Sequence, residues 1–392
     1  MNTKKLVNEV DAIAIVSAVP ETMITFMSNH LRALSGMYSV SAICGDPISI
    51  PSEKLVPNVE FINLSIERKI SPFKDLISLF KLIHFFRSHD FTLVQSITPK
   101  AGLLSMLAAW ICRVPIRVHV FTGQVWVTRS GFSRWYLKSF DRLIAILATS
   151  LLADSPSQKQ FLVDEGITSV LNIQVLADGS ICGVDTSRFK PNAEVKKNIR
   201  AQLGIPEEAV VALFMGRLKR DKGVLDLASA FGGLEPSFSS LYLIFVGPDE
   251  DGLREQILHL ASLGRNQVRF SGHVNNPEDF IAAADFLCLP SYREGFGLVT
   301  IEAAAVGIPT LASRIYGITD AIIDGVTGLL HEPGDLAGIA EGLRVMTAIS
   351  ETRISMGDAA QKRALELFTT SRIVNAQLSY YKSLIQKYRN HA

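Results

Sequence analysis

Two trains of short apolar runs, each run followed by a helix-length segment, constrain this chain more than any single residue does. In the first half DAIAIVSAV precedes ETMITFMSNHLRAL and YSVSAIC, and VEFINL precedes SPFKDLISLFKLIHFFRSH and FTLVQSI. KAGLLSMLAAWIC then precedes PIRVHVFTG, and SRWYLKSFDRLIAILATS precedes LLADSPS. The strand runs are apolar almost without interruption, as strands are when helices cover both faces of a parallel sheet. IQVLADGSICGVDTSRFKP, with its glycines, aspartates and proline, breaks the rhythm and reads as a linker. The rhythm restarts at VVALFMG, runs through LYLIFVG, VRFSGHV, FLCLP, PTLAS and TGLLHEP, and ends in three helical segments from Leu336 to about Arg389. The expectation is an α/β chain of two Rossmann-like, doubly wound domains facing a cleft. The first spans residues 1–180, with a C-terminal helix at about 370–392 packing back on it, and the second spans 181–369.

At 392 residues the chain is long enough for two cores. Hydrophobic residues at 48% against 20% charged exclude a disordered chain. A net charge of +1 argues against a nucleic-acid binder, which would carry a basic excess. Cys44, Cys112, Cys182 and Cys288 show no pairing or metal-ligand spacing, so free thiols in a reducing compartment are expected. The first apolar run follows Lys4 and Lys5 and is interrupted on approach by Glu9 and Asp11, which suits a first strand and not a signal peptide. No apolar stretch reaches the roughly 20 residues needed to span a bilayer.

The stretch from Ser291 to Ser313 carries Glu294 and Glu302, with Gly295 and Gly297 flanking Phe296. From Phe296 the pattern is helical and stops at Gly307, with Pro309 beyond. One carboxylate therefore belongs to a strand-to-helix loop, the other to the helix about two turns along. The glycines let a ligand approach the backbone, and the free N–H groups of the new helix suit an anion. A second loop, GRLKRDKG, follows VVALFMG and places Arg217 and Lys222 at a helix entrance, where two cations suit a diphosphate. Asp249-Glu250-Asp251 spells the D-x-D of metal-dependent transferases, but acidic residues ahead of a helix N-terminus explain it, and no metal site is expected.

Gly216-Arg217-Leu218, Asp221-Lys222-Gly223, Glu294-Gly295-Phe296-Gly297 and Glu302, in that order, resemble the retaining family 4 glycosyltransferases of the GT-B fold. GVDTSRF, VGPDEDGLR, FSGHV and VTGLLHEPGD sit where that family has its inter-domain segment, its next two βα loops and its late strand-turn. The resemblance implies a nucleotide-sugar donor held by the second domain, with no metal and no further cofactor. Arg217 and Lys222 would hold the diphosphate, and the N–H groups of Phe296, Gly297 and Leu298 the sugar or distal phosphate. Glu294 would bind sugar hydroxyls and Glu302 both ribose hydroxyls. His273, in the Gly272-His273-Val274 loop, is either a contact to the base or a solvated loop histidine.

The first half departs from the family. SAVPETMITF lacks the glycine pair of many relatives, and Thr122 stands beside Gly123 where the family has histidine. His119, three residues earlier, is either a core histidine or a sugar contact. Lys100, in SITPKAG, is a candidate for the diphosphate of a polyprenyl-linked acceptor. RSGFSRWYLKSFDR interleaves Arg129, Arg134, Lys138 and Arg142 with Phe132, Trp135, Tyr136 and Phe140, which suits either peripheral contact with an anionic membrane or an amphipathic helix on the sheet. In SPFKDLISLFKLIHFFR, Leu76, Leu79, Phe80 and Ile83 are expected to face the sheet. The activity implied is transfer of an N-acetylhexosamine-type sugar from a UDP-sugar to a lipid-linked or growing glycan, at the inner face of the cytoplasmic membrane. The alternatives are a 2-epimerase acting on UDP-sugars and a transferase with a soluble acceptor.

Overall fold

The computed structural model describes residues 10–45, 50, 54–67 and 71–391, so the lysine-bearing lead of the first strand lies outside the described residues. The chain divides into two compact units, residues 1–182 with 371–392, and residues 183–370.

The first unit holds seven parallel strands: β1 Ala12–Val16, β2 Ser39–Cys44, β3 Val59–Asn63, β4 Phe91–Ile97, β5 Ile116–Phe121, β6 Ser150–Ala153 and β7 Ile173–Val175. Their order is β3-β2-β1-β4-β5-β6-β7. Alternate side chains feed two cores. Ala14 and Val16 join Leu82, Leu104, Ile144 and Leu162 on one face, while Ile13 and Ile15 join Met23, Leu31, Tyr381 and Ile385 on the other. Helix Thr370–His391 therefore packs on this unit. Its Gln377 Nε2 donates to Gln95 Oε1 at 3.0 Å, the Tyr381 hydroxyl donates to the same oxygen, and Arg389 pairs with Asp11 at 2.9 Å.

Two local readings change. Ile173–Val175, assigned to the linker from sequence, is the edge strand β7, pairing with β6 alone. Three residues, one of them a polar glutamine, are too short a run to register as a strand. Helix Pro72–Ser88 is also partly rotated from expectation: Leu79 and Ile83 pack against the core as expected, whereas Leu76 and Phe80 do not. It buries Ser78, Leu82 and Phe86 and leaves Phe73, Leu76, Ile77 and Phe80 exposed. Its apolar residues run nearly all the way round, so periodicity does not fix which side faces the sheet.

The second unit holds six parallel strands: β8 Val210–Met215, β9 Leu241–Val246, β10 Val268–Gly272, β11 Phe286–Leu289, β12 Thr310–Ser313 and β13 Gly328–His331. Their order is β10-β9-β8-β11-β12-β13. Val211 and Leu213 face one core, Ala212 and Phe214 the other. The strand order reverses between β8 and β11. The loops leaving the carboxyl ends of those two strands lie at this switch point, the place where open α/β sheets take ligands.

Candidate active site

Those two loops are GRLKRDKG and SYREGFG. The first ends in a single turn of 3-10 helix, Arg220–Lys222, then Gly223 with φ +67°, then helix Val224–Gly232. A Cβ on Gly223 would lie 2.0 Å from Pro290 O, so only glycine lets the β8 loop pass against the β11 loop. Tyr292 N donates to Asp221 O at 3.0 Å, Arg293 pairs with Asp221 at 3.1 Å, and the Tyr292 hydroxyl donates to Asp226 Oδ2 at 2.8 Å.

This lacing brings Lys222 Nζ to 2.6 Å from Glu294 Oε1, and both side chains are mostly shielded from water. Ser291 Oγ donates to the same oxygen at 2.8 Å. Glu294 Oε2 takes no hydrogen bond among the described residues, so one lone-pair-bearing oxygen is left for a ligand. Arg217 is exposed and turns to Glu250, 3.2 Å away. Each cation already sits against a carboxylate, so an incoming anion must share or replace that partner. The Arg217 pair is solvated and exchangeable, whereas the Lys222 pair is held.

The helix after this loop spans Leu298–Val306, two residues later than the sequence pattern suggests. Gly297 occupies the left-handed region at φ +76° and Phe296 is buried against Phe368, at 5.3 Å between ring centroids. Apolar periodicity thus counted Phe296 as helical when it is a core plug ahead of the first turn. The stop at Gly307, φ +86°, falls where expected. Gly295 O faces the backbone of Gly317, where a Cβ would come within 2.3 Å. Among the described residues the N–H groups of Phe296, Gly297 and Leu298 donate no hydrogen bond, and they form an anion-receptive helix start.

Glu302 lies about one turn along, half-buried and with no side-chain hydrogen bond among the described residues. Burial pushes its carboxyl up to about 7, with Arg188 opposing the shift and Glu278 adding to it. His273 is exposed in the loop after β10, where Gly272 has φ +64°. Of the acidic trio, Asp249 accepts from Leu253 N and Arg254 N at 2.8 and 3.1 Å, Glu250 pairs with Arg217 and Lys219, and Asp251 accepts from Arg220 N at 3.2 Å. They cap a helix entrance and hold the β8 loop.

In the first unit His119 is buried on β5, with Nδ1 2.8 Å from Ser96 Oγ, and a Cβ on Gly102 would lie 2.4 Å from its ring. Burial pushes it down to about 3, so it stands as a neutral core residue. Thr122 is half-buried and its carbonyl accepts from Gln124 Nε2 at 2.6 Å and Gln158 Nε2 at 2.8 Å. Lys100, in the first turn of helix Pro99–Ile111, pairs with Asp75 at 2.5 Å. Beside it Thr98, at φ +73°, holds a β-branched residue in the left-handed region at this sheet's own switch point, between β1 and β4. Sequence reading gave Thr98 and Ser291 no role, since neither residue type signals backbone strain or a carboxylate partner.

The outer faces of two helices here are apolar and exposed: Phe73, Leu76, Ile77 and Phe80 on Pro72–Ser88, and Phe132, Trp135, Tyr136, Leu143 and Ile146 on Gly131–Leu147. Phe73, Phe132 and Ile146 are each 75% exposed or more. Arg134 and Lys138 share Glu165, at 2.7 and 2.6 Å. Among the described residues no helix is long and apolar enough to cross a membrane.

Comparison with known proteins bears on the family and the fold. The profile of the family described as "Glycosyl transferases group 1" matches residues 195–363, and that of the "Glycosyl transferase 4-like domain" matches residues 22–177. The capsular polysaccharide biosynthesis glycosyltransferase CapM of Staphylococcus aureus is 28% identical over 327 residues, 83% of this chain and 85% of that protein. Among solved structures, sucrose-phosphate synthase from Thermosynechococcus elongatus superposes with a TM-score of 0.79 at 22% identity, covering 96% of this chain and 100% of that one. Anabaena HepE, in complex with UDP-glucose, superposes at 0.78 and 20% identity, covering 95% and 99%. The fold is GT-B.

Proposed function

The chain belongs to the group 1, family 4 glycosyltransferases and is a transferase enzyme; from that membership we propose that it moves a sugar of the N-acetylhexosamine type from a UDP-sugar to a lipid-linked or growing glycan, with retention, in surface-polysaccharide assembly. The observation that carries this reading is the Lys222–Glu294 pair at the β8/β11 switch point, with Glu302 about one turn down the adjoining helix. Lys222 and Arg217 take the diphosphate, exchanging their carboxylate partners for phosphate oxygens. The N–H groups of Phe296, Gly297 and Leu298 take the distal phosphate or sugar, Glu294 a sugar hydroxyl, Glu302 the ribose, and His273 borders the base.

Glycosyl transfer builds positive charge at the anomeric carbon and negative charge on the departing diphosphate. Lys222 and the helix start at Leu298 are held before reaction, so they stabilise the leaving diphosphate with little reorganisation, and solvated Arg217 turns from Glu250 to join them. No metal is assigned to Asp249–Asp251, because both Asp249 oxygens accept backbone N–H groups and Glu250 faces two cations. Retention is proposed through front-face attack, in which the departing phosphate itself guides the acceptor.

A lipid-linked acceptor, with peripheral attachment to the inner face of the cytoplasmic membrane, is supported by the exposed aromatic faces of Pro72–Ser88 and Gly131–Leu147. Both helices carry cations as well, among them Lys81 and Arg142. The printed name of the Staphylococcus aureus relative, a capsular polysaccharide biosynthesis enzyme, points the same way. Lys100 beside strained Thr98 is the candidate for the acceptor's diphosphate.

The test is UDP release from a panel of UDP-sugars with and without a polyprenyl-diphosphate-linked saccharide. Acceptor-dependent release is expected. Isomerised or hydrolysed sugar formed equally fast without acceptor would replace the transferase reading by the epimerase one.

A further inference from the structure

Resting on the reading of Glu294 just given, we infer that Ser291 is a positioning residue of the donor site: its buried hydroxyl holds Glu294 Oε1 when Lys222 leaves that oxygen for the diphosphate, so that Oε2 stays turned to the sugar. Two donors meet on Glu294 Oε1, Lys222 Nζ at 2.6 Å and Ser291 Oγ at 2.8 Å. They differ in what they can do next. Lys222 carries its ammonium on a flexible four-carbon stem and has three hydrogens to share, so it can turn to phosphate. Ser291 is fully buried, and its short side chain has nowhere to swing. Among the described residues the Ser291 hydroxyl has no hydrogen-bond partner other than Glu294.

The backbone that carries the pair is fixed on both sides. Pro290 has its φ set by the ring, and its carbonyl oxygen lies 2.0 Å from where a Cβ on Gly223 would stand. Tyr292 N donates to Asp221 O at 3.0 Å. Further along, Gly295 O packs against Gly317, where a Cβ would come within 2.3 Å. The stretch from Pro290 to Gly295 is thus clamped at its ends, and Ser291 meets Glu294 inside it. A glutamate side chain loses considerable rotamer freedom when it is held in one geometry. A charge-assisted hydrogen bond from a hydroxyl that cannot leave keeps Glu294 in that geometry throughout the exchange. With the hydroxyl gone, departure of Lys222 would leave the carboxylate with no partner to orient it.

The experiment compares wild type with Ser291→Ala, Ser291→Cys, Glu294→Ala and the double variant Ser291→Ala/Glu294→Ala, all as the whole chain. UDP affinity is read by calorimetry, and turnover as UDP release with the donor and acceptor that the panel above identifies. Ser291→Ala is expected to lower kcat about tenfold or more, the loss of a charge-assisted hydrogen bond, with UDP affinity held within about twofold. Ser291→Cys fills the same space but donates weakly, so its turnover stays as low as that of Ser291→Ala. In the Glu294→Ala background the Ser291→Ala change costs nothing further, because the carboxylate it positions is gone. Full kcat in Ser291→Cys, or an equal loss of kcat from Ser291→Ala with and without Glu294, overturns the inference while leaving the Glu294 reading in place. Glu294→Ala turning over like wild type overturns the Glu294 reading itself. Wild-type crystals soaked in UDP give a second measurement, which stands even where a variant misfolds. Lys222 is expected on the phosphates and Glu294 still on Ser291; a Glu294 turned away from Ser291, or still holding Lys222, overturns the inference.

Discussion

Lys222 Nζ lies 2.6 Å from Glu294 Oε1, and the two residues come from different loops, one after β8 and one after β11. The pair therefore spans the switch point of the second sheet. Both side chains are largely shielded, so truncating either leaves a charge without its partner in a weakly screened place. In the proposed donor complex Lys222 would exchange Glu294 for the diphosphate, and the released Glu294 carboxylate would orient what is attached to that diphosphate.

The two glutamates are expected to fail differently. Glu294→Ala leaves Lys222 free to pair with phosphate, so UDP affinity holds while kcat falls on the order of 100-fold or more. Glu302→Ala removes charged hydrogen bonds of about 1.5–3 kcal/mol, so UDP affinity falls tenfold or more. Calorimetry with UDP and steady-state kinetics separate the two, and equal losses of UDP affinity contradict this division.

Gly223 and Gly272 offer a matched pair for backbone strain. Both have φ near +65°, but a Cβ on Gly223 meets Pro290 O at 2.0 Å whereas one on Gly272 meets nothing within 4 Å. Gly272→Ala is expected to cost about 1 kcal/mol from conformation alone. Gly223→Ala must also push the two loops apart, and a loss of about 2–3 kcal/mol with much reduced turnover is expected. Denaturant melts of the two variants check the difference.

Buried titratable groups set the stability of the first unit against pH. Asp154 is pushed up to about 8 from 3.8 by burial, so between those values the folded form holds a proton that the unfolded form releases. Stability is then lost as pH rises across that window, by about 1.4 kcal/mol per unit. His30 and His119 are pushed down by burial from 6.5 to about 4 and about 3, so their contribution is lost as pH falls below 6.5. Between pH 6.5 and 8 Asp154 acts without the histidines. Asp154→Asn is expected to flatten the decline of unfolding free energy there, and an unchanged slope contradicts the assignment.

Legibility in the sequence followed how local each signal was. Strand-helix alternation, glycine stops and the motifs GRLKRDKG and EGFG are local, and they located both sheets and the two loops of the candidate site. The rotation of Pro72–Ser88 was illegible because its apolar residues surround the helix. The pairing of Lys222 with Glu294, which also accepts from its near neighbour Ser291, joins two loops far apart in the chain. Side-chain type alone carries no trace of such meetings. His119 is the converse: Gly102 on the helix Pro99–Ile111 leaves room for its ring, which fixes it in the core.

The exposed aromatic faces give a membrane prediction. Replacing Phe132, Trp135 and Ile146 together by serine removes side chains that each contribute about 1–2 kcal/mol when transferred from water. Sedimentation with anionic vesicles is expected to fall tenfold or more, with UDP affinity unchanged. Vesicle binding that survives the triple substitution contradicts the assignment of this surface.

We propose that the β8 and β11 loops of the second unit hold the donor. The most direct test of this proposal is titration of UDP into wild type, Lys222→Ala, Glu302→Ala and, from the first unit, Lys100→Ala. Lys222→Ala and Glu302→Ala are expected to bind UDP at least tenfold more weakly, the loss of a charged hydrogen bond, while Lys100→Ala binds as wild type does. Wild-type affinity in both second-unit variants, or a loss confined to Lys100→Ala, would contradict it.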